Sequence, residues 1–117
     1  MKVLSGLCVA AAVSVATAAC GAEYAPIDCA KANAPALHAV CKSYALGQAE
    51  AHMATLFSIA TSLVAMGQRG DLMDTQRQWL MRREACRSDI ACLTNAYKLR
   101  IQQLNAVMTE IASHGPF

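Results

Sequence analysis

The sequence predicts an all-α fold: a small disulfide-stapled helical bundle with three longer helices and one short N-terminal helix. Three observations carry that expectation. Apolar residues recur at the three-and-four spacing of a helical face, and no segment alternates with period two for long enough to make a strand. The length of 117 residues leaves room for one domain. Cys29, Cys41, Cys86 and Cys92 follow an export-type leader, and such an even set implies disulfides before it implies thiol chemistry.

The leader comes first in the chain. "MKVLSGLCVAAAVSVATAAC" has Lys2 at its front, an apolar run from Val3 to about Ala16, and small residues suited to a processing protease. The apolar run is shorter than the roughly 20 residues that a membrane span needs. Residues 1–19 therefore read as a signal peptide and 20–117 as the domain. Cleavage at Ala16-Thr17-Ala18 would give a periplasmic or secreted protein. The alternative places a lipid on Cys20 and anchors the chain to an envelope membrane. Thr17 stands where a lipoprotein signal usually has a leucine-like residue, which favours the unanchored form.

The segment from Cys20 to about Ala34 reads as an irregular lead-in, broken by Gly21 and Pro26. Pro35 suits the first turn of a helix, where its missing N–H costs nothing, so "PALHAVC" forms the short helix. Ser43 caps the second helix, whose stripe is Met53, Leu56, Phe57, Ala60, Leu63 and Val64. Gly67 and Gly70 are expected to end it, and Asp71 or its neighbour to start the third helix. There Leu72, Gln76, Trp79, Arg83 and Cys86 share one face. The fourth runs from about Asp89, with Leu93, Tyr97, Leu104, Met108 and Ile111 inward, and stops before Gly115-Pro116. Short connections favour antiparallel neighbours, hence an up-down bundle.

Cys86 and Cys92 would lie about 9 Å apart along an unbroken helix, beyond the roughly 7 Å limit on Cα separation for a disulfide. Arg87-Ser88-Asp89 supplies the break, because Ser88 and Asp89 both cap helices and compete with a continuing one. A clamp across the junction is the expected arrangement, although four cysteines allow three connectivities. The spacing fits neither a C-x-x-C redox centre nor a usual zinc site.

The formal net charge of +2 becomes +1 without Lys2, the leader's one charged residue, which argues against a nucleic-acid binder. The positive mean hydropathy of +0.30 is inflated by the leader. His38, His52 and His114 have no ligand spacing, and neither a nucleophile motif nor a close pair of carboxylates occurs. The expectation is a chain without catalytic function, cofactor or metal. Gln76, Arg83 and Arg100 fall on apolar stripes. A buried Arg83 requires a partner, for which Glu50 on the second helix is the best placed by pattern.

The run Q-x-x-W-x-x-x-R-x-x-C, then C-L-x-x-x-Y-x-x-R-x-x-x-L, is met by Gln76, Trp79, Arg83, Cys86, Cys92, Leu93, Tyr97, Arg100 and Leu104. It closely resembles the small secreted domain of the LprI-type lysozyme inhibitor family. "DCAKANAPALHAVC", with Cys29 and Cys41, resembles that family's opening, and the likeness covers about Asp28 to Met108. There are departures. In the second helix the family usually has Asp, Leu and Tyr where this chain has Glu50, Met53 and Phe57; Thr75 and His38 stand where acids are common. The resemblance implies binding to host-type lysozyme and a block on its hydrolysis of the cell wall. The alternative is a periplasmic interaction or immunity-type module with a different envelope partner. Gln68, Arg69, Gly70 and Asp71, expected as an exposed loop, are the candidate partner-binding surface.

Overall fold

The computed structural model describes residues 27–114. The signal peptide, Cys20 and the Gly115-Pro116 stop lie outside the described residues. The described elements are α1 (Pro35–Lys42), α2 (Tyr44–Leu63), α3 (Met66–Ala85) and α4 (Ile90–Ser113). They form an all-α bundle of one short and three long helices, and no strand occurs among the described residues.

Each helix starts and stops for a local reason. Pro35 occupies the first turn of α1. Ser43, extended at φ −106° and ψ 118°, separates α1 from α2 and accepts the Leu46 N–H on its hydroxyl at 3.3 Å. Asp89 caps α4 by accepting the Cys92 N–H at 3.0 Å. Ser88 remains in the turn. Arg87 holds a left-handed φ of 52° just after α3, a conformation that costs a non-glycine residue about 1 kcal/mol. It redirects the chain so that the Cys86–Cys92 disulfide spans the junction, with Cα atoms 5.5 Å apart.

The break between α2 and α3 corrects the sequence expectation. Gly67 and Gly70 do not end α2, and Asp71 does not start α3: α2 stops at Leu63 and both glycines lie in the opening turns of α3. The chain turns at Val64 and Ala65, both extended with ψ near 160°. Thr61 and Ser62 just before it hydrogen-bond back to the carbonyls of Phe57 and Ile59. Such back-bonding weakens a helix end.

The buried stripe of α2 is Leu46, Glu50, Met53, Phe57 and Ala60; that of α3 is Leu72, Gln76, Trp79 and Arg83. Leu93, Tyr97, Arg100, Leu104 and Ile111 complete it from α4. All follow the helical period, and each stripe carries polar residues among the apolar ones. Met53, Leu93 and Leu104 are fully buried. Each such side chain contributes roughly 1.5–3 kcal/mol relative to exposure. Helix α4 lies mainly along α2 and touches α3 far less.

A second disulfide, Cys29–Cys41, ties the segment before α1 to its last turn, with Cα atoms 5.7 Å apart. Asn33, Pro35, His38 and Lys42 share a cleft with Ser88 and Ile90, so α1 abuts the α3–α4 junction. Both disulfides therefore sit at one end of the bundle. Among the described residues no helix is long and apolar enough to cross a membrane. Two disulfides suit a chain that matures in an oxidising compartment.

Candidate functional site

The residues of the sequence motif meet inside the bundle as one polar network in two parts. Glu50 of α2, Arg83 of α3 and Tyr97 of α4 form the first. The Tyr97 hydroxyl donates to Glu50 Oε2 at 2.5 Å, and Arg83 Nη1 lies 3.5 Å from the same oxygen. Arg83 also donates through Nε and Nη2 to Glu84 Oε1, at 3.1 and 2.9 Å. Its guanidinium carbon stands 5.5 Å from the centre of the Trp79 ring. Trp79 meets Tyr97 edge to face, with centroids 5.0 Å apart, and its indole N–H donates to the Ala96 carbonyl at 3.0 Å.

Gln76 and Arg100 form the second part. Gln76 Oε1 accepts from Arg100 Nε at 2.9 Å, and its Nε2 contacts the Met53 sulfur at 3.3 Å. Arg100 reaches Gln103 Oε1 at 3.2 Å and makes longer contacts with Thr75 Oγ1 and the Leu72 carbonyl.

Burial sets the electrostatics. It raises the Glu50 carboxyl above its ordinary range, with the Tyr97 hydrogen bond and the Arg83 charge opposing. Burial and the neighbouring Glu50 hold the Tyr97 hydroxyl protonated far into the alkaline range. For Arg83 the desolvation that would neutralise it is outweighed by Tyr97, Glu84 and Glu50, so it stays charged. Arg100 is shifted down, first by burial and then by Arg82. Glu50 Oε1 is buried without a hydrogen-bond partner among the described residues.

The network joins α2, α3 and α4 and fixes their register. Leu93 and Leu104, the apolar members of the motif, are fully buried beside it. Gln76, Trp79, Arg83, Leu93, Tyr97, Arg100 and Leu104 are thus buried residues that hold the interior together.

The surface expected to make it is differently built from the sequence expectation. Gln68, Arg69, Gly70 and Asp71 are not a loop; they lie in the opening turns of α3. Arg69 is half-buried and its Nε has no hydrogen-bond partner among the described residues. Gln68 and Asp71 face α4 across a groove of about 500 Å³. Its apolar lining includes Leu72, Leu104, Val107 and Ile111. Near the same end Leu63 and Met66 are exposed, Met66 to 79 %.

Arg82, Gln103, Val107 and Glu110 also line the groove and were missed by the sequence reading. One signal was available, since Val107 widens the stripe of Leu104 and Ile111. Among the described residues no cluster of three His, Cys, Asp or Glu could hold a metal ion.

Fold and site together define a small stapled helical scaffold with a polar network set in an apolar core and a groove between α3 and α4. No family model, curated protein or solved structure matches the chain.

Proposed function

We propose that the chain is a secreted or periplasmic lysozyme inhibitor, which binds the enzyme and blocks its hydrolysis of the cell wall. The observation that carries this reading is the resemblance of the Gln76–Leu104 motif and the Cys29–Cys41 opening to the LprI-type inhibitors. The interior network supports it by accounting for the spacing of those residues. The motif holds three helices in register, so a scaffold of this kind keeps the motif while its outside adapts to a partner. In this reading the export leader and two disulfides equip the protein for the envelope, where lysozyme acts.

Purified protein added to a lysozyme lysis assay should slow clearing of the bacterial suspension in proportion to its concentration. No effect at large molar excess sinks the reading. A second reading, an envelope interaction or immunity-type module with a different partner, is favoured by the shape of the groove. A concave surface receives a protruding element, whereas blocking an enzyme cleft calls for a convex one. Pull-down from envelope extract with and without added lysozyme separates the two, since only the first expects lysozyme as the dominant captured protein.

A further inference from the structure

The α3–α4 groove has a charge pattern that its own helices leave uncompensated. At its inner end Arg100 is only 3 % exposed, yet every hydrogen-bond acceptor it meets is neutral: Gln76, Gln103, Thr75 and the Leu72 carbonyl. The other charged residue lining that end is Arg82, a second cation, which is exposed. A buried cation without a counter-charge is costly, and its neutral acceptors recover only part of that cost. The downward shift of Arg100 by burial and Arg82 agrees with a missing anion.

The outer end has the opposite sign. Asp71 on α3 and Glu110 on α4 face the groove from its two walls. Asp71 has no cationic partner among the described residues, and Glu110 has only the exposed His114, 3.9 Å away. The apolar lining is Leu72, Leu104, Val107 and Ile111, of which Val107 is partly exposed and the others are buried. The helical rise from Arg100 to Glu110 is about 15 Å, and from Asp71 to Arg82 about 16 Å. Along α3 the Arg100 guanidinium lies beside Leu72 and Thr75, between Asp71 and Arg82, so cations and acids follow one another in the same order on both walls.

We propose that this groove docks an amphipathic helix of a partner protein, about three turns long, with an acidic N-terminal end and a basic C-terminal end. Its acid would supply the counter-charge at Arg82 and Arg100, its base would lie between Asp71 and Glu110, and an i, i+3, i+4, i+7 apolar stripe would cover the floor. The occupant then runs parallel to α4 and antiparallel to α3. That charge order also suits the dipole of the incoming helix, which favours acids at its N-terminus and bases at its C-terminus. Nothing in this inference depends on lysozyme being a partner.

The test uses the isotopically labelled chain and two synthetic helical peptides of about 14 residues with one leucine stripe. One carries Glu near its N-terminus and Lys about ten residues later; the other has the two exchanged. Amide signals of Thr75, Gln103 and Val107 should shift saturably with the first, and the exchanged peptide should bind about tenfold more weakly. The surface variant Arg82→Glu/Glu110→Lys leaves each end of the groove with one charge of either sign, and should abolish that preference while its circular dichroism stays that of the parent. Equal affinity of the parent for both peptides, shifts confined to other faces, or no saturation overturns the proposal. Displacement of the first peptide by dodecanoate, with the same amides shifting, would assign the groove to a lipid carboxylate and overturn it equally.

Discussion

The two ends of this bundle solve the problem of a small core in different ways. At one end the start of α2, the junction of α3 with α4, and α1 are gathered under two disulfides, and Glu50, Arg83, Trp79 and Tyr97 interlock beneath them. At the other, α2 turns into α3 through two extended residues, and α3 and α4 leave a groove lined by Leu104, Val107 and Ile111. A chain of roughly this size buries only about 60 % of its unfolded surface. Covalent and polar constraint is concentrated at one end, while the other leaves Leu63 and Met66 exposed.

Perturbing the stapled end should therefore cost most. Trp79→Ala removes a side chain only 3 % exposed together with its hydrogen bond to Ala96. It should lower unfolding free energy by roughly 3–5 kcal/mol in urea denaturation. A loss comparable to that of a surface substitution would mean that the network does not hold this end. Arg83→Met should cost about 3 kcal/mol, because it strips the buried Glu50 of its counter-charge. Adding Glu50→Leu should recover part of that loss, and strict additivity in the double-mutant cycle would deny the coupling.

Replacing Cys29 and Cys41 by serine should cost about 3 kcal/mol on the chain-entropy account, and the shorter Cys86–Cys92 loop about 2.5 kcal/mol. Thermal melts of the two cysteine-to-serine variants give the same comparison. The pH response is smaller and its sign is informative. Burial raises the folded-state pKa of Glu50, so its favourable contribution is complete below 4.5 and is lost as pH rises through the folded value. The urea midpoint should accordingly rise as pH is lowered from neutral toward 4.5, and Glu50→Gln should remove that component. A wild-type and variant response of equal slope would place the titration elsewhere. The least effect is expected at the open end: Met66→Ser, at a side chain 79 % exposed, should change stability by less than about 0.5 kcal/mol. A larger loss would mean that this end is part of the core.

The helical stripes were legible in the sequence because a period near 3.6 is written directly in residue type, and the buried positions of α3 fall on the face it indicated. The junction at Cys86 and Cys92 was legible because a continuous helix puts the two sulfurs out of reach. Glu50 could be placed opposite Arg83 by pattern, since a polar residue on an apolar face needs company. The α2–α3 boundary was not legible. Val64 and Ala65 carry no turn signature, whereas Gly67 and Gly70 do and are nevertheless helical. A helical glycine costs only about 1 kcal/mol, which the packing of a long helix outweighs. The groove was hidden for a different reason: it arises from the unequal contact of α4 with α2 and α3. Gln68 and Asp71 were singled out as exposed, and only the packing sets them across from Val107 and Glu110.

The pairing of the cysteines bears on how the protein is made. Among Cys29, Cys41, Cys86 and Cys92 each bonds to its nearest neighbour along the chain, at separations of 12 and 6 residues. A polypeptide emerging amino end first, and oxidised in the order in which these thiols appear, closes one local ring and then the other. Neither bond waits for a distant strand or helix to arrive, and neither has to be undone to reach the final connectivity. Among these four positions the final connectivity is the one that oxidation in order of emergence forms first.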